Sequence, residues 1–201
     1  MKKIFIFALC LLMMLSLCAC KKDNTELSSS VEVSTLDSSA AKAVLDSGKI
    51  TVSYEMWEDG ATIHKNAEIS LGMNSDDFKE LIFNAEYERD EGENFIRYSL
   101  GGAYIYFENN DNDTGIVGIV YNGNIGEFQP TLTEKQQVLN GLGTPKTDDA
   151  APQKAADMFL FGETGYTYVN YEKGDNSLAF FFSTDDRLSV SVLSQKDYWI
   201  Y

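Results

Sequence analysis

Residues 94–121 read NFIRYSLGGAYIYFENNDNDTGIVGIVY, and they carry the clearest structural pattern in the chain. Three runs in this stretch are rich in the aromatic and β-branched residues that favour strands: 94–100, 103–108 and 115–121. Gly101 and Gly102 separate the first two runs, and a polar stretch separates the last two. The pattern predicts three consecutive antiparallel strands, which form a meander.

A helix is predicted immediately before this meander. Phe78, Leu81 and Ile82 recur at the spacing i, i+3 and i+4, so they form one apolar stripe on a helix. Asn74 or Ser75 precedes the stripe, and either side chain is suited to cap the first turn. The predicted order is therefore a helix followed by strands.

A shorter helix and a hairpin are predicted ahead of that unit. The helix begins after Asp37 and ends before Gly48, because polar capping residues precede an apolar run that a glycine closes. Apolar and polar residues then alternate over 50–57 and 61–71, on either side of Asp59-Gly60. Since glycine tolerates the positive φ angle of a tight turn, this pattern predicts a β-hairpin.

The second half of the chain repeats the order of the first. Thr133 is predicted to cap a helix over residues 134–140, with Val138, Leu139 and Leu142 as its apolar residues. An insertion and further strand-like runs follow: 147–156, then 158–161, 165–171, 178–183 and 188–193. The predicted fold class is α+β, with two helix-then-antiparallel-meander repeats that form a sheet backed by helices.

The start of the chain has the pattern of a secretory signal. A short basic beginning precedes an apolar stretch that is too short for a comfortable membrane span. The stretch Leu17-Cys18-Ala19-Cys20 resembles a bacterial lipobox, which implies cleavage before Cys20 and a diacylglycerol thioether on its sulfur. Cys18 fits less well, because Leu17 would then occupy the position that needs a small residue. The alternative is an uncleaved N-terminal anchor helix.

The composition argues against several classes of function. The chain has 16 Lys+Arg and 31 Asp+Glu, a net charge of −15, which cleavage before Cys20 changes to −17 by removing Lys2 and Lys3. This charge argues against nucleic acid, whose phosphates require clustered cations. All three cysteines lie in the first twenty residues and the chain has one histidine, so we expect no disulfide, no bound metal and no cofactor.

These observations predict a protein that is lipid-anchored on the extracytoplasmic face of the cell membrane. Two acyl chains hold a protein stably in a bilayer, whereas one chain is marginal. The polar, Ser-rich stretch after Cys20 is predicted to be a flexible tether. The predicted segments are a signal peptide (1–19), the lipidated cysteine and linker (20–35), an N-terminal helix and hairpin (36–71), repeat 1 (72–128) and repeat 2 (129–201).

Two motifs resemble a known family. Residues 72–78 (GMNSDDF) and 133–145 (TEKQQVLNGLGTP) are similar to the helix signature of the β-lactamase-inhibitor-protein-like fold, although the first copy has Phe-Asn-Ala at 83–85 instead of a Leu-Gly-x-Pro close. That fold includes the small outer-membrane assembly lipoproteins and a group of uncharacterised lipoproteins of Gram-positive bacteria. The resemblance covers roughly residues 68–195. It implies a sheet whose open face binds another protein, and it does not imply catalysis.

Two acidic stretches are candidate sites with simpler explanations. Residues 109–115 place Asp111 and Asp113 at calcium-loop positions, but the glycine and the bidentate glutamate of that loop are not in register, which favours a polar turn. Residues 86–93 offer carboxylates for a glycosidase pair, but we interpret them as a solvated loop without the burial that separates two pKa values. His64 is interpreted as an exposed hairpin histidine.

The tyrosines suggest a recognition surface. Two pairs share a strand face: Tyr104 with Tyr106, and Tyr166 with Tyr168. Ile105 and Phe107 alternate with the first pair and are the better core residues. If the helices cover that apolar side, the four tyrosines line the open face and suit a protein interface. The alternative is ordinary strand propensity with cross-strand packing.

Three classes of function follow from these patterns. The favoured one is a membrane-anchored extracytoplasmic lipoprotein, not an enzyme, that binds a protein or peptide partner through the open sheet face. The alternatives are a cell-envelope hydrolase that uses acidic residues and a passive structural surface domain.

Overall fold

A computed structural model describes residues 35–109, 115–159, 164–196 and 198, with only the backbone for Met158 and Phe159. Cys20, the tether that follows it, and Asp111 and Asp113 of the candidate calcium loop lie outside the described residues. None of the helices in the described ranges is both long and apolar enough to cross a membrane.

Helices and strands alternate along the described part of the chain. Its helices are α1 (Ser39–Ser47), α2 (Ser75–Leu81), α3 (Lys135–Leu142) and α4 (Gln153–Phe159). Its strands are β1 (Lys49–Glu58), β2 (Ala61–Ser70), β3 (Glu88–Glu91), β4 (Phe95–Leu100), β5 (Ala103–Glu108), β6 (Ile116–Tyr121), β7 (Thr147–Ala150), β8 (Thr167–Lys173), β9 (Asn176–Phe182) and β10 (Leu188–Gln195). The predicted α+β class is confirmed.

One antiparallel sheet of eight strands joins the two repeats, and β1 and β2 form a separate hairpin. The strand order is β3-β4-β5-β6-β10-β9-β8-β7, so each repeat contributes a four-stranded meander and the meanders meet at their last strands. Val120 pairs with Val192 at this junction. Both meanders shift register at the equivalent place, beside Tyr106 and Phe107 in the first and at Leu188–Val190 in the second.

The first face of the sheet packs on α1, α2, α3 and the β1–β2 hairpin. Phe78 of α2 is fully buried, and its ring centroid lies 5.2 Å from that of Tyr98 and 5.5 Å from that of Phe107. Ile105 and Phe107 are buried on this face, as the alternation in β5 predicts. Helix α2 begins after Asn74, whose side chain accepts a hydrogen bond from the Asp77 amide, so the predicted cap is also right.

Two local predictions are wrong. Leu81 is exposed, because α2 ends at that residue and only Phe78 and Ile82 reach the core. Thr133 does not cap α3, because its hydroxyl accepts a hydrogen bond from the Gln129 amide. Glu134 is the capping residue, in a capping box with Gln137.

Two segments without an apolar pattern are regular secondary structure. The predicted insertion at 147–156 contains β7 and the beginning of α4, and the predicted loop at 86–93 contains β3. Both strands are short, charged edges of the sheet, and such edges bury no side chains on either face. Hydrophobic alternation is therefore absent from them, which is why the sequence pattern does not predict them.

A two-glycine turn joins β4 to β5. Gly101 and Gly102 have φ angles of 55° and 78°, the positive values that a tight hairpin turn requires. A Cβ atom on Gly101 would lie 1.9 Å from the Ser53 carbonyl oxygen of β1, whereas one on Gly102 would meet no atom within 4 Å. The turn therefore packs against the hairpin at Gly101.

Candidate functional site

The four predicted tyrosines share the second face of the sheet. Tyr106 and Tyr168 belong to the cluster that contains Val120 and Val192, and two partly buried tyrosines pack against it: Tyr104 and Tyr166. The Tyr168 ring stacks on Phe181 with a centroid distance of 5.5 Å. The prediction that these side chains lie opposite Ile105 and Phe107 is right.

The prediction that all four tyrosines line an open face is wrong. Tyr106 is 1% exposed and Tyr168 is 8% exposed, so neither presents its ring to solvent. Helix α4 lies on this face and contributes Ala155 and Ala156 to the same cluster. The helices that the sequence predicts all lie on one side of the sheet. Helix α4, which begins within the predicted insertion, covers part of the other side.

The two tyrosine pairs do not occupy equivalent positions in the repeats. Tyr104 and Tyr106 lie on β5, which corresponds to β9, whereas Tyr168 lies on β8, which corresponds to β4. Within the second meander, Tyr168 of β8 pairs with Phe181 of β9. At the equivalent place in the first meander, Arg97 of β4 pairs with Tyr106 of β5. The first repeat therefore has an arginine where the second has a tyrosine.

Arg97 connects several groups on the second face. Its guanidinium lies 2.8 Å from the Asp90 carboxylate and 5.4 Å from the ring centroid of Tyr104. Burial raises the pKa of Tyr106 above its ordinary value, and the hydrogen bond from the Arg97 guanidinium opposes that shift. Arg97 is not among the site residues predicted from the sequence, although a charged residue between Phe95 and Tyr98 of β4 is an unusual feature of the pattern.

A cleft of about 520 Å³ opens between α4 and the adjoining ends of β4 and β5. The strand side contributes Phe95 of β4 and Glu108 of β5, together with Asn94 and Asn109, which directly adjoin these strands. The opposite side contributes Lys154 and Asp157 from α4, and Tyr198 from the segment after β10. We call this site the β4–β5 cleft.

The walls of the β4–β5 cleft are fixed by packing and by backbone pairing. The Phe95 ring centroid lies 5.6 Å from that of Tyr106, so the apolar wall rests on the buried cluster of the second face. The Asn109 amide donates a hydrogen bond to the Asn94 carbonyl at 3.1 Å and closes the strand pair at the rim. The cleft is therefore bounded by regular structure on the strand side.

The cleft combines an apolar surface with groups of both charges. Burial and the nearby Glu108 carboxylate raise the pKa of Tyr198 to about 12, so its phenol remains a hydrogen-bond donor even at alkaline pH. Lys154 is a cation, and Asp157 and Glu108 are acceptors. Together, the aromatic surface and these charged groups can contact both a side chain and the backbone amide groups of a bound polypeptide. The sequence does not predict these cleft residues, because they come from separate segments of the chain and no repeating hydrophobic pattern links them.

The other predicted candidates lie apart from the cleft. Every residue of β3 is exposed, and Arg89 forms an ion pair with Glu91 at 2.8 Å. The His64 side chain is 80% exposed and its Nε2 lies 3.6 Å from the Glu55 carboxylate. Within the residues that the structure describes, no three His, Cys, Asp or Glu side chains are grouped so as to hold a metal ion.

Comparison with known proteins gives one structural likeness. No protein-family profile matches the chain, and no curated protein does. The chain is similar to the crystal structure of a DUF4309 family protein (YjgB) from Bacillus subtilis subsp. subtilis str. 168, a Gram-positive bacterium, with 22% sequence identity, a TM-score of 0.43, and coverage of 61% of this chain and 78% of that one.

Proposed function

We propose that the chain is a non-catalytic lipoprotein, anchored through Cys20 on the extracytoplasmic face of the cell membrane, that binds a protein or peptide partner in the β4–β5 cleft. The observation that carries the proposal is the cleft itself, because it places an aromatic wall beside donors and acceptors of both charges. A polypeptide presents the matching combination of apolar side chains and amide groups.

Helix α4 covers only part of the second face of the sheet, and this arrangement supports the same proposal. On the second face, Tyr106 and Tyr168 are buried in the cluster that includes two alanines of α4, whereas three aromatic side chains that pack against it stay partly buried: Phe95 at the cleft, Tyr104 and Tyr166. The β-lactamase-inhibitor-protein-like fold, which the two helix motifs resemble, is expected to bind proteins through a sheet face. In this chain we place binding at the border between the sheet and α4.

Site-specific crosslinking in living cells tests the proposed cleft. A photoreactive p-benzoylphenylalanine at Asn94, on the cleft rim, is expected to form an adduct that a protease degrades, because a bound polypeptide lies within reach. Combining it with Phe95→Ala is expected to reduce the adduct about tenfold, the effect of losing an aromatic hot spot of roughly 1.4 kcal/mol or more.

The control places the same photoreactive residue at Asp175, an exposed turn residue between β8 and β9. Adduct formation that is equal at Asn94 and Asp175, or that Phe95→Ala leaves unchanged, would show that the cleft is not the binding site. An adduct that resists protease but not a glycosidase would show that the cleft holds a polysaccharide.

The lipid anchor yields a separate prediction. In Cys20→Ser the lipid is expected to be absent and the leader to remain uncleaved, because the sulfur is the acceptor of the diacylglycerol that precedes processing. Mass spectrometry of the N-terminal peptide measures both changes. Cys18→Ser is the matched control and is expected to be processed normally. An unmodified Cys20 within an intact leader of the natural chain would contradict the anchor.

A further inference from the structure

The distal end of the β1–β2 hairpin presents an aromatic surface to solvent. Trp57 is 61% exposed and Phe83 is 81% exposed, and the neighbouring Leu81 and Tyr87 are also exposed. In the described part of the chain, Leu132 is the one other large apolar side chain with comparable exposure. We call Trp57, Leu81, Phe83 and Tyr87 the hairpin-tip patch.

Backbone pairing holds the two segments of the patch together. The Trp57 amide donates a hydrogen bond to the Asn84 carbonyl at 3.0 Å, and the Glu86 amide donates one to the Glu55 carbonyl at 3.0 Å. The Tyr54 hydroxyl donates to the Leu81 carbonyl at 3.2 Å. The segment after α2 therefore runs along β1, and the exposed rings are presented on a fixed backbone.

The residues that flank the hairpin-tip patch along the chain carry several carboxylates. The basic side chains of this region are already in ion pairs: Lys65 with Glu58, Lys79 with Asp76, and Arg89 with Glu91. Four further carboxylates have no ion-pair partner among the described residues: Asp59, Glu80, Glu86 and Glu88. The rim of the patch is therefore acidic, and an electrostatically complementary partner is basic.

We propose that the hairpin-tip patch docks a basic polypeptide segment that carries one aromatic or aliphatic anchor residue. The anchor buries against Trp57 and Phe83, which removes apolar surface of both partners from water. Lysine or arginine residues of the segment face the acidic rim, and one of them packs over the Trp57 ring. This surface is separate from the β4–β5 cleft, so the proposal does not depend on the proposed function.

Charge disfavours the two other occupants of such a surface. A second copy of this chain would bring an identical set of carboxylates against the patch, and like charges across an interface repel. An anionic membrane surface repels the acidic rim in the same way. A basic polypeptide is the occupant that satisfies both the aromatic centre and the acidic border.

Binding of a defined probe tests the proposal. The probe is a lysine-rich peptide with one central phenylalanine, and the protein is the full-length chain in phosphatidylcholine nanodiscs, with empty discs as the reference for surface plasmon resonance. Trp57→Ala is expected to weaken binding about tenfold or more, since an aromatic hot spot contributes on the order of 2 kcal/mol. Leu132→Ala removes an equally exposed side chain elsewhere and is expected to leave affinity unchanged.

A second pair of variants separates the patch from the general charge of the chain. Glu80→Gln/Glu86→Gln/Glu88→Gln is expected to weaken binding several-fold and to reduce its salt dependence. Asp149→Asn/Asp175→Asn/Asp186→Asn removes three exposed carboxylates elsewhere and is expected to change affinity by less than twofold. Equal losses in the two triple variants would overturn the proposal, because the peptide would then be reporting net charge alone.

Two further measurements test whether a second copy of the chain or the membrane occupies the patch. Dimerisation that Trp57→Ala abolishes, measured by sedimentation, would assign the patch to a second copy. Tryptophan quenching by brominated lipid in the nanodisc, present in the natural chain and lost in Trp57→Ala, would assign it to the membrane. Either result, or probe binding that Trp57→Ala leaves unchanged, would overturn the proposal.

Discussion

Replacing Phe107 or Tyr106 with alanine is expected to lower the free energy of unfolding by about 3–5 kcal/mol in each case. The two side chains are adjacent on β5 and point to opposite faces of the sheet, and both are buried. Phe107 loses its contacts with Phe78 and Tyr98, and Tyr106 leaves a cavity beneath α4 and removes the partner of Arg97. Urea unfolding followed by circular dichroism measures both losses.

Tyr104→Ala is the matched control for this pair. Tyr104 lies on the same face as Tyr106 but is only partly buried, and the Arg97 guanidinium lies over its ring. Its replacement is expected to cost about 1 kcal/mol. If Tyr106→Ala costs no more than Tyr104→Ala, the second face is open, as the sequence alone predicts, and α4 does not cover it.

Gly101→Ala is expected to cost about 2–5 kcal/mol, although it adds only one methyl group. A positive φ of 55° costs an alanine about 1–2 kcal/mol, and the overlap with the Ser53 carbonyl costs roughly a further 1–3 kcal/mol. The clash is with backbone, so the β1–β2 hairpin itself must move to relieve it. The loss is measured in the same urea titration.

Gly102→Ala separates the two contributions. Gly102 has a φ of 78°, but a Cβ atom there meets nothing within 4 Å, so this variant is expected to lose only about 1–2 kcal/mol. Equal losses for the two alanine variants would mean that β1 does not press on the turn at Gly101. The difference between them therefore measures the contact between the hairpin and the first repeat.

Local chemistry explains the parts of the fold that the sequence predicts. Ile105 and Phe107 alternate with tyrosines, Asn74 caps α2, and Gly60 supplies the positive φ of the hairpin turn. Each of these features depends on neighbours within a few residues. The pattern is therefore present in the sequence before any long-range contact forms.

Long-range packing explains the parts that the sequence does not predict. Helix α4 covers the second face with Ala155 and Ala156, small side chains that form no distinctive apolar stripe. The β4–β5 cleft depends on this helix, and its walls combine strand ends with Tyr198. Burial of Tyr106 is likewise a consequence of what lies above it, because its alternation in β5 is the same whether the face is open or covered.

The junction between β6 and β10 sets the order of events when the chain is made. β6 reads IVGIVY and is apolar on both faces, and β10, its neighbour on one side, is the last strand of the sheet in chain order. Synthesis proceeds from the amino end, so the edge of β6 that pairs with β10 stays unpaired until nearly the whole chain has been made. An apolar strand edge in that condition is a template for aggregation. Arrival of β10 is therefore the step that ends this period of exposure and commits the chain to its native sheet.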